Sequence, residues 1–125
     1  MTQSRRYKKL DERDFTGQII ELAHIYHWRV AHFRAAITQH GWRTPVQADG
    51  AGFPDLVLVR PPKCLFVELK SDTGQISRGQ EEWLRELGAC LGISVCIWRP
   101  SQWEEIVEIL ARNEIRKIEN DNTHL

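Results

Sequence analysis

Three charged residues near the middle of the chain, Asp55, Glu68 and Lys70, have the types and spacing of an acid–base or cation-binding cluster. Asp55 opens one short apolar run (55–59, DLVLV), and Glu68 lies near the end of a second (64–69, CLFVEL). Arg60-Pro61-Pro62-Lys63 separates the two and reads as a hairpin turn, though not a type I′ one, since proline cannot supply positive φ. With the turn centred between the prolines, Val59 opposes Cys64, Val57 opposes Phe66, and Asp55 opposes Glu68. Opposed residues share a face of the sheet, with Cβ atoms roughly 4.5–5.5 Å apart. Lys70, two residues beyond Glu68, projects the same way. A register slip of one residue would dissolve the cluster.

Two carboxylates that close repel one another unless a proton or a cation lies between them. A magnesium-type ion suits the gap, because it takes oxygen ligands at about 2.0–2.1 Å and keeps waters for its other positions. Such an ion polarises a phosphoryl oxygen and lowers the pKa of bound water. Lys70 beside it would orient or deprotonate that water, or neutralise charge building on a phosphate. These are the parts of a phosphodiester hydrolysis. The plainer reading is an aspartate after a proline turn and an exposed Glu-x-Lys at a strand end, each common alone. Their coincidence on one hairpin in matching register favours a site.

The elements that must hold the cluster follow from periodicity. Phe15, Ile19, Leu22, Ala23 and Tyr26 form the apolar stripe of a helix over 11–27, with Asp11 as N-cap. Residues 28–33 (WRVAHF) read as a strand. Residues 34–53 carry Gly41, Pro45, Gly50 and Gly52 and little period; a short helix at 34–40 is expected before an irregular part. Gly50 and Gly52 either make a turn or let a bulky backbone such as DNA approach the site. The two hairpin strands are apolar on both faces, so helices should cover the sheet above and below. Ser77 opens a second helix whose stripe is Gln80, Trp83, Leu84, Leu87 and Leu91, stopped by Gly92. Residues 93–98 (ISVCIW) are a strand, and Pro100-Ser101 starts a last helix with Trp103, Ile106, Val107 and Leu110 inward and Ser101-x-x-Glu104 as a capping form. The expected class is α/β: an αβββαβ core, a small mixed sheet flanked by helices, with a C-terminal helix. The domain covers 11–112, between a basic arm (1–10) and a charged tail (113–125).

Composition narrows the classes. Hydrophobic residues are 42% and charged residues 27%, as in ordinary soluble domains, and no apolar run reaches the ~20 residues that span a bilayer. With no secretory leader pattern, a cytoplasmic location is expected. Seventeen basic and seventeen acidic side chains cancel, which argues against a sequence-independent nucleic-acid coat but not against an enzyme that holds DNA locally. Arg5, Arg6, Lys8 and Lys9 form an arm that either contacts phosphates or is a solvated terminus. Cys64, Cys90 and Cys96 have no metal-site spacing and read as buried structural thiols. His24 and His27, one turn apart, lack further ligands to complete a metal set. The tryptophans read as core, except that Trp42 in the long connection is placed to stack on a base.

These residues resemble the PD-(D/E)xK nucleases, and within them the VRR-NUC (virus-type replication-repair nuclease) branch. The match is Gly52-Phe53-Pro54-Asp55 for G-x-P-D, Glu68-Leu69-Lys70 for E-x-K and Ser77-Arg78-Gly79-Gln80 for S-x-x-Q, with Arg78 where the pattern has proline. It spans roughly 11–110 and looks like the small stand-alone members from phages and bacteria, which implies the cytoplasm of a bacterium or a phage-infected host. The resemblance implies a restriction-endonuclease-like fold and a Mg²⁺ or Mn²⁺ ion held by Asp55, Glu68 and the backbone carbonyl of Leu69. It gives Lys70 the catalytic lysine role and adds a glutamate of the first helix, for which Glu12 is the candidate. As an alternative, Glu12 is a first-turn acid favoured by the helix dipole. Gln80 either supports the site or closes a capping box with Ser77. Gly52, His32, Arg34 and Ser77 are candidates for substrate contact.

The activity implied is a structure-specific DNA endonuclease on branched substrates such as four-way junctions or flaps, acting in replication, recombination or repair. A homodimer would let two sites cut two strands, and a separate helicase or targeting protein is a further partner to consider. The competing class is a catalytically silent DNA-binding or assembly module on the same fold, which would typically have lost one charged motif position.

Overall fold

The hydrophobic faces expected from periodicity find one another across a mixed sheet. The computed structural model describes residues 12–33, 36–38, 41–43 and 46–112, with backbone alone for 12, 13 and the two short segments 36–38 and 41–43. The elements are α1 (Glu12–Ile25), β1 (Arg29–His32), β2 (Ala36–Thr38), β3 (Gly41–Arg43), β4 (Leu56–Arg60), β5 (Lys63–Leu69), α2 (Arg78–Gly88), β6 (Ser94–Trp98), a 3-10 turn (Pro100–Gln102) and α3 (Trp103–Ala111). The main sheet has the order β1-β4-β5-β6; β1, β4 and β5 are antiparallel neighbours, and β6 joins β5 in parallel through α2.

The hairpin register is the one read from the sequence. Leu56 pairs with Val67, Val57 with Phe66, Leu58 with Leu65 and Val59 with Cys64, around a turn whose Pro61–Pro62 bond is cis. That is the type VI arrangement, with proline at the third turn position. One face of the sheet carries Leu56, Leu58, Leu65, Val67 and Leu69. It is closed over by Phe15, Ile19 and Ala23 of α1 and by Ile106 and Leu110 of α3, all essentially inaccessible to water. Each large side chain buried there contributes about 1.5–3 kcal/mol. The other face is covered by α2, so helices do lie on both sides.

Several expectations are corrected. The short helix expected at Arg34–His40 is not formed by the residues described there: 36–38 and 41–43 are strands, pairing Ala36 with Arg43, Ile37 with Trp42 and Thr38 with Gly41. β-Branched Ile37 and Thr38 favour extended backbone, and each strand satisfies the other's hydrogen-bonding groups. This ribbon forms its own two-stranded sheet, inserted between β1 and β4 of the expected core. Helix α2 ends at Gly88 and does not continue to Gly92, leaving Leu91 fully exposed. Gly88 passes close to Val95, where a Cβ would lie 3.3 Å from its side chain, and the chain then needs residues 89–93 to reverse into β6. Ser101 does not cap the last helix; its N–H bonds Asp72 Oδ1, while Gln102 Oε1 accepts the Arg99 N–H. Cys64 and Cys96 are half-buried and Cys90 is exposed, so the thiols are not a buried set. Burial raises the Cys96 thiol to a pKa of about 11.

Arg60 closes the end of the sheet opposite Asp55. It stacks 4.5 Å above the Trp28 ring and donates to the carbonyls of Tyr26, Leu110 and Arg112, the last residues of α1 and α3 and their exits. Trp28 Nε1 donates to Leu110 O as well. No described helix is long and apolar enough to cross a membrane.

Candidate active site

The site begins where the β4–β5 ladder ends. The last pair of the ladder is Leu56–Val67, and the same register carried one step further sets Asp55 opposite Glu68. The Asp55 main chain is fixed by the Phe33 N–H, which donates to Asp55 O at 2.9 Å, and its side chain by the Leu69 N–H, which donates to Oδ2 at 2.8 Å. A strand residue turns its N–H and C=O to the same side, so the Leu69 carbonyl faces the Asp55 side too. Preceding Asp55, Pro54 is buried, and the Phe53 ring meets Phe33, Phe66 and Trp83 edge to face, with centroids 5.2, 6.0 and 5.0 Å away. Trp83 Nε1 ties Asp49 O of the same loop at 3.0 Å. The loop that delivers Asp55 is thus nailed to α2 and to the sheet.

Glu68 is only 2% exposed, and it is the one buried charged residue of the described core. Gln80 Nε2 donates to its Oε2 at 2.9 Å, and Lys70 Nζ lies 3.9 Å from the same oxygen. The Glu68 carboxyl lies close enough to Asp55 to influence its protonation. Burial raises the Asp55 pKa; the Leu69 N–H, the Glu68 contact and the charges of Lys70 and His32 pull it back only in part. Two carboxylates and a carbonyl converging at a partly dry strand end form an all-oxygen donor set. Its chemistry fits a hard divalent cation that retains waters. Among the described residues no group of three His, Cys, Asp or Glu side chains is placed to hold a metal.

Lys70 reaches the cluster from the first position after β5, where its N–H bonds Trp98 O at 3.0 Å. The loop that follows is pinned by Arg99, whose Nη1 donates to Ser71 O at 2.6 Å and Gly74 O at 2.7 Å, and by the Asp72–Ser101 contact. Gln80 uses both ends of its amide: Oε1 accepts the Ser77 N–H at 2.8 Å, closing the cap, while Nε2 donates to Glu68. Ser77 is the N-cap, its Oγ accepting the Gln80 N–H, so its hydroxyl is engaged within the helix.

Gly52 has φ +86°, and a Cβ there would sit 2.5 Å from the Gly79 carbonyl carbon. The close approach that this glycine permits is to the first turn of α2. His32 ends β1, exposed, near enough for its charge to act on Asp55. His24 and His27 are exposed on the last turn of α1 and its exit. Glu12 opens α1, but its side chain lies outside the described residues, as do Arg34, the 1–10 arm, the 113–125 tail and the Trp42 ring. Sequence reasoning missed Phe53, Arg99 and Asp72 as supports of the site. An aromatic at the free position of G-x-P-D was the available signal for Phe53; nothing in the sequence marked the other two.

Residues 6–102 match the VRR-NUC domain family. No curated protein and no solved structure matches the chain.

Proposed function

The chain belongs to the VRR-NUC family, a family of nuclease domains generally acting on DNA, and on that footing we propose that it is a metal-dependent, structure-specific DNA endonuclease. The observation that carries the reading is the register-matched approach of Asp55 and Glu68, with Lys70 Nζ 3.9 Å from Glu68. Asp55, Glu68 and the Leu69 carbonyl would hold a Mg²⁺ or Mn²⁺ ion, which supplies Lewis-acid polarisation of the phosphate and an acidified water. Lys70 orients the attacking water and offsets negative charge developing on the scissile phosphate. Gln80 keeps Glu68 ionised and aimed, because its amide donates to the carboxylate while its other end is anchored in the helix cap. Glu12, at the start of α1, is a further ligand or water-holding group in this reading, and His32, Arg34, Gly52 and Ser77 flank the substrate path. Branched DNA, four-way junctions or flaps, is the proposed substrate, cut by a homodimer so that two sites act on two strands, with or without a separate helicase or targeting protein.

The test is to incubate the purified protein with a labelled four-way junction, a flap and plain duplex, in Mg²⁺, Mn²⁺ or EDTA. Metal-dependent cleavage of the branched substrates ahead of duplex is expected. Binding without cleavage in any metal would leave a silent DNA-binding module instead.

A further inference from the structure

A chain with no net charge has no overall field to draw in a polyanion, so attraction must come from cations placed locally. Among the lysines and arginines whose side chains are described, four gather at the end of the sheet away from Asp55. Arg29 pairs with Val59 there, Lys63 pairs with Arg60, and Arg60 bonds Arg112 O. At the Asp55 end, Lys70 belongs to the cluster itself, and Arg99 Nη1 is taken up by the Ser71 and Gly74 carbonyls. That leaves Arg78, among the described residues, as the cation free to meet a phosphate at this end.

Arg78 opens α2, and both of its chain neighbours are tied to the site. Ser77 is locked to Gln80, whose Nε2 donates to Glu68 at 2.9 Å. Gly79 lies against the backbone of Ala51 and Gly52, in the loop that leads to Asp55. At about 100° per residue, Arg78 stands roughly 200° round the helix from Gln80, on its outer side. The Arg78 side chain is 93% exposed. It does not face the carboxylates; it stands at the mouth of the site.

Nothing local accounts for a cation at this position. A helix N-terminus carries partial positive charge, so an arginine in the first turn is disfavoured. Arg78 Nε lies 3.6 Å from Glu82 Oε2, an exposed i,i+4 pair in the weaker order, with the base first. The backbone asks for no arginine either. The first N–H of a helix has no intrahelical acceptor, and Ser77, at φ −75° and ψ 166°, already has the extended conformation that precedes proline. Proline is the residue best suited to such a place. An exposed cation there, set against the helix dipole, finds its reason in a negative ligand.

We propose that Arg78 is a DNA-backbone contact at the mouth of the site, holding a phosphate that flanks the scissile one. It rests on the nuclease reading above and adds a residue that the motif positions do not supply. Such a contact sets the position of the strand and carries no sequence preference.

The experiment uses the full chain and compares the parent with Arg78→Gln, Arg78→Pro and Arg78→Lys. The control is Arg85→Ala, on the same outer side of α2 but about 10 Å further along it. Anisotropy with a labelled four-way junction in Ca²⁺, across a salt series, reads binding. Turnover of the small ester bis(p-nitrophenyl) phosphate in Mn²⁺ reads the reacting centre without DNA. In Arg78→Gln and Arg78→Pro, loss of one phosphate contact should weaken junction binding about three- to tenfold and make the log–log salt slope shallower by about 0.9. Arg78→Lys should recover the slope, Arg85→Ala should keep the parent's, and the loss of affinity should exceed any loss of small-ester turnover. Arg78→Pro should unfold no earlier than the parent, since proline suits the first helical position. If it does not fold, Arg78→Gln, which leaves the backbone alone, gives the result. A parent-like slope in Arg78→Gln overturns the proposal, as does an equal change in Arg85→Ala, a lysine variant no better than the glutamine one, or a small-ester loss as large as the loss of affinity. Arg78-dependent binding without any cleavage by the parent keeps the contact and removes the nuclease reading; cleavage with Arg78-independent binding does the reverse.

Discussion

The Gln80 amide has two ends, and the fold uses both: Oε1 accepts the Ser77 N–H, and Nε2 donates to Glu68. Gln80→Glu keeps an acceptor for the cap but removes the donor and adds a third carboxylate. Cleavage is therefore expected to fall at least about tenfold, while the unfolding temperature in excess Mg²⁺ moves by only a few degrees; parent-like turnover would remove Gln80 from the site. Asp55 gives a pH prediction in EDTA. Its folded pKa is raised above 3.8 by burial, so its contribution to stability is full below the unfolded pKa and is lost as pH rises through the folded value. Asp55→Asn, which still accepts from Leu69, escapes that loss. Denaturant titrations from acid to neutral pH should show the variant gaining on the parent as pH rises, and added Mg²⁺ should stabilise the parent alone. Parallel curves would contradict this. At this scale much was legible, because alternation along two short strands fixes which side chains share a face. What was not legible is that Gln80 serves two partners: sequence posed cap and site as rivals, and only the geometry of a bifunctional amide joins them.

At the scale of elements, the site is held less by its strands than by what pins their ends. Arg99 bonds Ser71 O and Gly74 O, fixing the loop that leaves Lys70. Arg99→Ala frees two carbonyls and that loop, so kcat should drop several-fold with little change in DNA affinity, because Lys70 loses its aim while the binding surface stays intact. A matched rise in Kd would show instead that Arg99 contacts DNA. Such supports join residues far apart in sequence through backbone carbonyls, and so leave no periodic or motif signal. The β2–β3 ribbon escaped for another reason. Three-residue strands are too short to show alternation, and an Arg-Ala-Ala start resembles a helix turn. Helix α1, with four turns of stripe, and the hairpin, bounded by two prolines, had enough length or punctuation to be read.

For the whole molecule, the sheet has its proposed working end at Asp55 and is sealed at the other end by Arg60. Arg60 gathers the C-terminal carbonyls of both helices on the core face and covers Trp28. Arg60→Ala leaves those acceptors without their cation and is expected to cost about 2–3 kcal/mol in denaturant unfolding, with small-ester turnover by the folded fraction intact. A loss of turnover without a loss of stability would contradict this division of labour. Fold class and the αβββαβ core were readable from hydrophobic pattern alone; the clamp was not, since an arginine beside a proline turn reads as surface. The central claim is that Asp55, Glu68 and Lys70 form the reacting centre of a nuclease. Its most direct test is the single-turnover cleavage rate of a labelled four-way junction by the parent and by Lys70→Ala, in Mg²⁺ or Mn²⁺, with binding measured in parallel. The variant should bind the junction as the parent does and cut it at least about a hundredfold more slowly. A Lys70→Ala protein that cuts at the parent's rate would contradict the account.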